Sequence, residues 1–266
     1  MAVRVVDVNA ETLRYVSLCT HVDEVNPERE KAAEIRLDWL KDTARKEGMI
    51  TKVAIDGEGK PLGFIHAVQV ESPLSCMIGR SLLVIRCLTI SYKLVYNRVH
   101  GTGVGRLLVQ SCEDEARRAG FKGLAVYAYS DDFWFMPSAF FEKLGFKRAP
   151  QSSDIWVKKW KAVEDPVQYK EKYKYVPVQG KVVIDCFWSP FCLTLCGEAH
   201  NIRDVASEFG EKVVLNEYRC DDPRIAKEFG LFRALFINGE RKNWGYEAPK
   251  EELRKEIDKA LKADRR

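Results

Sequence analysis

Two groups of residues in this 266-residue chain have types and spacings that could do chemistry. The first is the run His100-Gly101-Thr102-Gly103-Val104-Gly105-Arg106-Leu107-Leu108, three alternate glycines opening an amphipathic stretch. Backbone N–H groups left unpaired at a helix N-terminus, with no side chains in the way, form a cradle for a phosphate or diphosphate. The second is Cys192-Leu193-Thr194-Leu195-Cys196. On a helix, that spacing stacks two thiols one turn apart, at about 6 Å between Cα atoms and within disulfide range. Cys192 falls at the predicted helix start, where a thiolate is stabilised and made reactive. A third, weaker cluster is Tyr129–Met136, in which Asp131 and Asp132 could attract or deprotonate a cationic amine beside Trp134 and Phe135.

Bulk properties set the frame. The net charge of +4 is small, and basic and acidic residues are interspersed. No concentrated basic face for nucleic acid is visible. Neither a membrane-length apolar run nor a secretory pattern at the N-terminus is present, so a cytoplasmic location is expected. In a reducing compartment the eight cysteines are not read as a structural disulfide framework. Cys19, Cys76, Cys87 and Cys112 read as buried small apolar residues. Cys186, Cys192, Cys196 and Cys220 crowd into the C-terminal part. That asymmetry points to two chemistries in one chain.

The elements that must position these groups follow from periodicity. Val3–Val8 reads as a strand, then 11–21 and 28–47 as helices, and 49–56 with 61–70 as a hairpin around Gly57-Glu58-Gly59-Lys60. A strand over 81–90 leads to a helix over 104–118 stopped by Gly120. A strand over 123–129, a helix over 137–144 and a strand over 155–160 complete this half. Residues 161–179, rich in charge and tyrosine and carrying Pro166 and Pro177, read as a linker. The pattern then restarts with strands at 182–187, 212–218 and 234–237. Helices alternate with them at 192–209, 223–229 and 250–262.

The glycine run resembles the cofactor motif of the GNAT-type N-acetyltransferases, and Ala139-Phe140-Phe141-Glu142-Lys143-Leu144-Gly145-Phe146 resembles that family's late helix-to-strand motif. The resemblance implies a mixed α/β (α+β) fold with a splayed sheet over residues 1–160. It also implies acetyl-CoA as co-substrate and direct attack of an amine on the thioester. The diphosphate would be held by His100, Gly101, Thr102, Gly103, Val104, Gly105 and Arg106. The pantetheine arm would lie along Leu88-Thr89-Ile90, with Leu94-Val95-Tyr96 as a rival; from the residues themselves, Asp131 is the candidate to take the acceptor amine's proton, with a solvated loop as the alternative reading of its segment. Three departures stand out: His100 replaces the usual Arg or Gln, the connection 91–99 is long, and Phe140-Phe141 occupies the position where many members carry an acidic tyrosine.

Residues 180–266 resemble a smaller thioredoxin-like (YoaP-like) α/β domain, through the strand, the Trp188-Ser189-Pro190-Phe191 turn and the cysteine-bearing helix. The resemblance implies redox or thiol-recognition roles for Cys192 and Cys196. Packing and a metal stripe with His200 are the rival readings. The thiols are three residues apart rather than two, and no proline precedes Ala234. The expected function is an acetyl-CoA-dependent N-acetyltransferase acting on a small-molecule or peptide amine, with the second domain aiding acceptor recognition or redox control. The alternatives are a thiol–disulfide or thiol-binding protein whose first half only binds CoA, and a non-enzymatic CoA-responsive module.

Overall fold

A computed structural model describes residues 2–19, 21, 26–91, 103–129 and 135–263. The chain forms two compact units: residues 1–25 with 41–169, and residues 26–40 with 170–266.

The first unit is a seven-stranded sheet in the order β1-β2-β3-β5-β6-β8-β7. Its strands are β1 (Arg4–Asp7), β2 (Ile50–Ile55), β3 (Pro61–Gln69), β5 (Leu82–Ile90), β6 (Gly123–Tyr127), β7 (Lys147–Arg148) and β8 (Ile155–Lys159). Only β5 and β6 run parallel, joined by the crossover that contains helix α3 (Val104–Arg118). Helix α1 (Ala10–Leu18) starts at Asn9, whose side chain accepts from Thr12 N–H while Thr12 Oγ1 accepts from Asn9 N–H. This reciprocal cap fixes the first turn. The β2–β3 hairpin closes because Asp56 Oδ1 accepts from both Glu58 and Lys60 N–H. Residues 161–169 are not free linker: β9 (Val167–Gln168) pairs with β4 (Met77–Ile78).

Alternation along the strands sorts the two faces. Ile65, Ala67, Leu83, Ile85, Leu124 and Val126 pack against Val104, Leu108, Val109, Cys112 and Ala116 of α3. Helix α4 (Ser138–Lys143) adds the fully buried Phe141 to this core. The opposite face carries Phe64, His66 and Cys87, with Tyr15 of α1 edge-on to Phe64 at 6.2 Å. Lys52 ties β2 to β1 and α3 through Asp7 (2.5 Å) and Glu115 (3.1 Å).

The second unit has a four-stranded sheet, β11-β10-β12-β13. Strand β10 (Val182–Trp188) is central and buried throughout. It pairs in parallel with β11 (Val213–Arg219) and antiparallel with β12 (Ala234–Ile237), which turns at Asn238-Gly239 into β13 (Glu240–Lys242). Helices α5 (Leu193–Glu208), α6 (Pro223–Phe229) and α7 (Lys250–Ala263) intervene in a βαβ then ββα order. For α6, Asp222 caps the start, Pro223 opens it and Gly230 ends it at φ +67°, the expected asymmetry of helix termini. Residues 26–40, of which 27–40 lie in α2 (Pro27–Lys46), pack in this unit although the sequence pattern groups them with the first half. The fully buried Arg36 donates from Nε to Phe191 O (3.0 Å), and Trp39 Nε1 donates to Asp221 (3.0 Å). A contact made across some 150 residues leaves no local signature.

Candidate acyl-CoA site

Strand β5 pairs with β3 along its whole length, to Ile90 opposite Gly63 and onward through Ser91 N–H to Leu62 O (2.8 Å). Its pairing with β6 stops at Ile85 opposite Val126. The change has a visible cause. The β3–β5 register jumps from His66–Cys87 to Ala67–Ile85, so Arg86 is an extra residue on β5. A bulge of this kind bends its strand and adds local twist, and here it falls where β5 parts from β6. Beyond it, no described strand pairs with β5 on that side. Since Ser91 bonds towards β3, alternation along the strand turns the peptide groups of Leu88 and Ile90 into the gap. The side chains of Leu88 and Ile90 pack towards α3, while Thr89 is buried among the side chains of the other face. Leu88 and Ile90 therefore offer main-chain groups to an extended ligand, whereas Thr89 does not.

The start of α3 lies directly after this strand and its connection. Gly103 is the residue before the first turn, at φ +74°, and its carbonyl accepts the first helical bond, from Leu107 N–H (2.9 Å). Among the described residues, the N–H groups of Val104, Gly105 and Arg106 have no backbone acceptor, as expected of a helix start. A Cβ on Gly103 would meet no atom of the described residues within 4 Å.

Gly105 corrects the expectation that its missing side chain admits the ligand. A Cβ there would sit 3.1 Å from Phe140 and 3.2 Å from Ile90, so this glycine lets α3 approach its own core. Val104 is likewise buried, and Arg106 is exposed. His100, Gly101, Thr102, Asp131 and the rival segment Leu94-Val95-Tyr96 lie outside the described residues. Arg86 was not singled out from the sequence, because a bulge is a property of strand pairing. Its guanidinium lies 5.4 Å from the centre of the Tyr127 ring, at the apex of the gap. Burial raises the phenol pKa values of Tyr127 and Tyr129, keeping both neutral near pH 7.

In the second unit Cys192 and Cys196 are both free thiols, as are the chain's other six cysteines. Cys192 is the N-cap of the sixteen-residue α5 and is partly exposed. Cys196 is fully buried one turn on, and burial pushes its thiol up to about 12. Arg233 stands near Cys192, gripped in bidentate fashion by Glu198 (3.0 and 3.1 Å). Burial opposes the charge of Arg233, but Glu198 and then the Cys192 thiolate hold its pKa raised. The sequence reading missed Arg233, which comes from the segment before β12. No described group of three His, Cys, Asp or Glu residues is arranged to hold a metal ion, the Cys192–Cys196–His200 stripe included.

The profile of the acetyltransferase (GNAT) family matches residues 12–146. No curated protein sequence matches the chain. Among solved structures, a GNAT family acetyltransferase from Brucella melitensis in complex with acetyl-CoA is 17% identical, with 63% of this chain and 96% of that chain covered at a TM-score of 0.41. The PaiA N-acetyltransferase of Thermoplasma acidophilum in complex with coenzyme A is 18% identical, covering 60% of this chain and 100% of that one at 0.43. The GNAT family N-acetyltransferase YhbS of Escherichia coli in complex with CoA is 19% identical, covering 59% and 80% at 0.39.

Proposed function

The chain belongs to the acetyltransferase (GNAT) family, and from that premise we propose that it transfers an acetyl group from acetyl-CoA to an amine by direct attack on the thioester. The observation that carries this reading is the gap beyond Ile85, where β5 turns two peptide groups outward beside the uncapped start of α3. A diphosphate matches the N–H groups of Val104, Gly105 and Arg106, which meet no backbone acceptor among the described residues, and the favourable end of the helix dipole. Gly101 and Thr102 would extend that cradle. The peptide-like pantetheine arm matches Leu88 and Ile90 as an added strand would. Its thioester end then reaches the apex of the gap near Arg86. Holding amine and thioester together supplies much of the rate by converting a bimolecular reaction into a local one. The amine must shed a proton before attack, and Asp131 is the acceptor group suggested by the sequence.

The second unit is read as a thioredoxin-like module that aids acceptor recognition or redox control. Its βαβ–ββα order, the Cys192 cap and the buried Cys196 support this reading. Arg233 before β12, with no cis peptide in the chain's described part, sets it apart from a general disulfide reductase.

Isothermal titration of the folded protein with acetyl-CoA tests the main reading, followed by release of CoA thiol with a panel of amines. Stoichiometric binding and amine-dependent thiol release are expected; folded protein that binds no acetyl-CoA would refute it.

A further inference from the structure

A hollow lies wholly within the second unit, lined by the first turns of α2, one face of α5 and the loop that joins β13 to α7. Its walls carry the titratable side chains Glu28, Arg29, His200 and Glu247, with Ala32 and Leu193 as an apolar part. Two of the four are already engaged. Lys250 holds Glu28 at 2.9 Å and Asp204 at 2.8 Å, and Asp204 faces His200 Nε2 at 3.5 Å. Arg29 and Glu247 are different: among the described residues neither side chain makes a hydrogen bond or an ion pair. Both are half-buried, and Arg29 Nη1 is buried without a hydrogen-bond partner.

Glu247 is held firmly while its carboxylate stays unmatched. Arg233 donates to the carbonyls of Gly245 (3.3 Å) and Tyr246, Asn201 Nδ2 donates to Ala248 O (3.3 Å), and Ala248 N–H donates to Glu198 Oε1 (3.2 Å). The backbone is thus fixed on both sides of Glu247. Gly197 of α5 gives the carboxylate its room, since a Cβ there would come within 3.3 Å of Glu247 Oε1. Burial pushes the Glu247 carboxyl pKa up, and the charge of Arg29 opposes that rise without pairing directly. Charges withdrawn from water and left unpaired are costly. Two of opposite sign, held apart on the walls of one hollow, match a ligand that carries both signs a short distance apart. The space holds about four waters, which suits an amino acid the size of glycine or alanine and excludes a nucleotide.

We infer that this hollow binds a small zwitterionic α-amino acid, its ammonium on Glu247 and its carboxylate on Arg29. The site belongs to the second unit and stands independently of the acetyl-transfer reading. An amine held there as an ammonium ion has no lone pair for attack, so the hollow binds the amino acid and is not the place of its acetylation.

The test is isothermal titration of the full-length protein near pH 7, without acetyl-CoA, using glycine, L-alanine and L-serine. Propionate and ethylamine, which each carry one of the two charges, are titrated beside them. At least one of the amino acids should bind one to one. Both single-charge compounds should bind it at least about tenfold more weakly, equivalent to about 1.4 kcal/mol. Arg29→Gln and Glu247→Gln, shown to be folded by thermal melts, should each weaken the amino acid at least about tenfold as well. Wild-type protein that binds none of the three at millimolar concentration overturns the site. Propionate or ethylamine binding as tightly as the amino acid overturns the two-charge recognition, and this comparison stands even where a variant unfolds. Unchanged affinity in either folded variant places the amino acid elsewhere and overturns the assignment.

Discussion

Gly103 and Gly105 look interchangeable in the sequence, and the structure assigns them opposite duties that a pair of alanine substitutions separates. At Gly103 the backbone is left-handed (φ +74°) and the added methyl would meet no described atom within 4 Å. The strain of an L-residue there is about 1–2 kcal/mol, which lowers Tm by about 2–4 °C per kcal/mol for a domain of this size. That methyl also stands where the diphosphate is proposed to approach, so acetyl-CoA affinity should fall at least about tenfold, equivalent to about 1.4 kcal/mol. At Gly105 the methyl would press on the rim of Phe140 (3.1 Å) and on the Ile90 Cδ1 (3.2 Å), both side-chain ends able to give by a few tenths of an ångström. Overpacking of that size costs about 1 kcal/mol and is offset by the helix preference of alanine over glycine, also about 1 kcal/mol. Stability should therefore change little, and acetyl-CoA Kd should stay within about threefold. Calorimetric titration with scanning fluorimetry of both variants decides the matter. If Gly105→Ala weakens acetyl-CoA as much as Gly103→Ala does, or Gly103→Ala leaves Kd unchanged, the division of roles is wrong.

Gly103→Glu should abolish acetyl-CoA binding altogether, by volume and by repulsion of a diphosphate, whereas Phe141→Tyr should leave binding intact; titration of each checks this. In the second unit, iodoacetamide at pH 8 should label Cys192 and spare Cys196, whose buried thiol stays protonated up to about 12; mass spectrometry showing Cys196 labelled first in folded protein would contradict the geometry. Glu113 is buried, and although burial alone would raise its pKa, Lys158 (2.6 Å) and Arg117 (2.7 Å) hold it lowered from 4.5. Its contribution is present above pH 4.5 and is lost as pH falls below it, so Glu113→Gln should cost about 1–2 kcal/mol at pH 7 and flatten the acid limb of a urea-melt series. Trp39→Phe removes the bond to Asp221 and should cost about 1.5 kcal/mol, with hydrogen-exchange protection lost in residues 180–263; loss confined to residues 50–160 would contradict the grouping of residues 26–40 with the second unit.

Local signals carried far. The helix over 104–118 stands where its apolar spacing and Gly120 place it, and α6 and β12 match their predicted limits, because caps, turns and periodicity are encoded within a few residues. Strand ends shift by a residue or two, as at β1 and β6. The short pieces β4, β7 and β9 escaped notice, since two-residue strands exist only through their partners. Of the candidate site, Leu88, Ile90 and Gly103 could be picked out from sequence, but the separate duties of Thr89 and Gly105 could not.

The amino-acid order by itself determined the longer strands and the helices, the strand–glycine–helix passage, and the family motifs that frame it. Those depend on residues close together along the chain. Only tertiary structure decided that Arg86 would be squeezed out as a bulge, that β5 would part from β6 beyond Ile85, and that Arg29 and Glu247 would line one hollow. It also decided that Arg233 would stand by Cys192. Each of these rests on register or packing between segments far apart in sequence, where the free energy of one arrangement over another is fixed by the whole core at once.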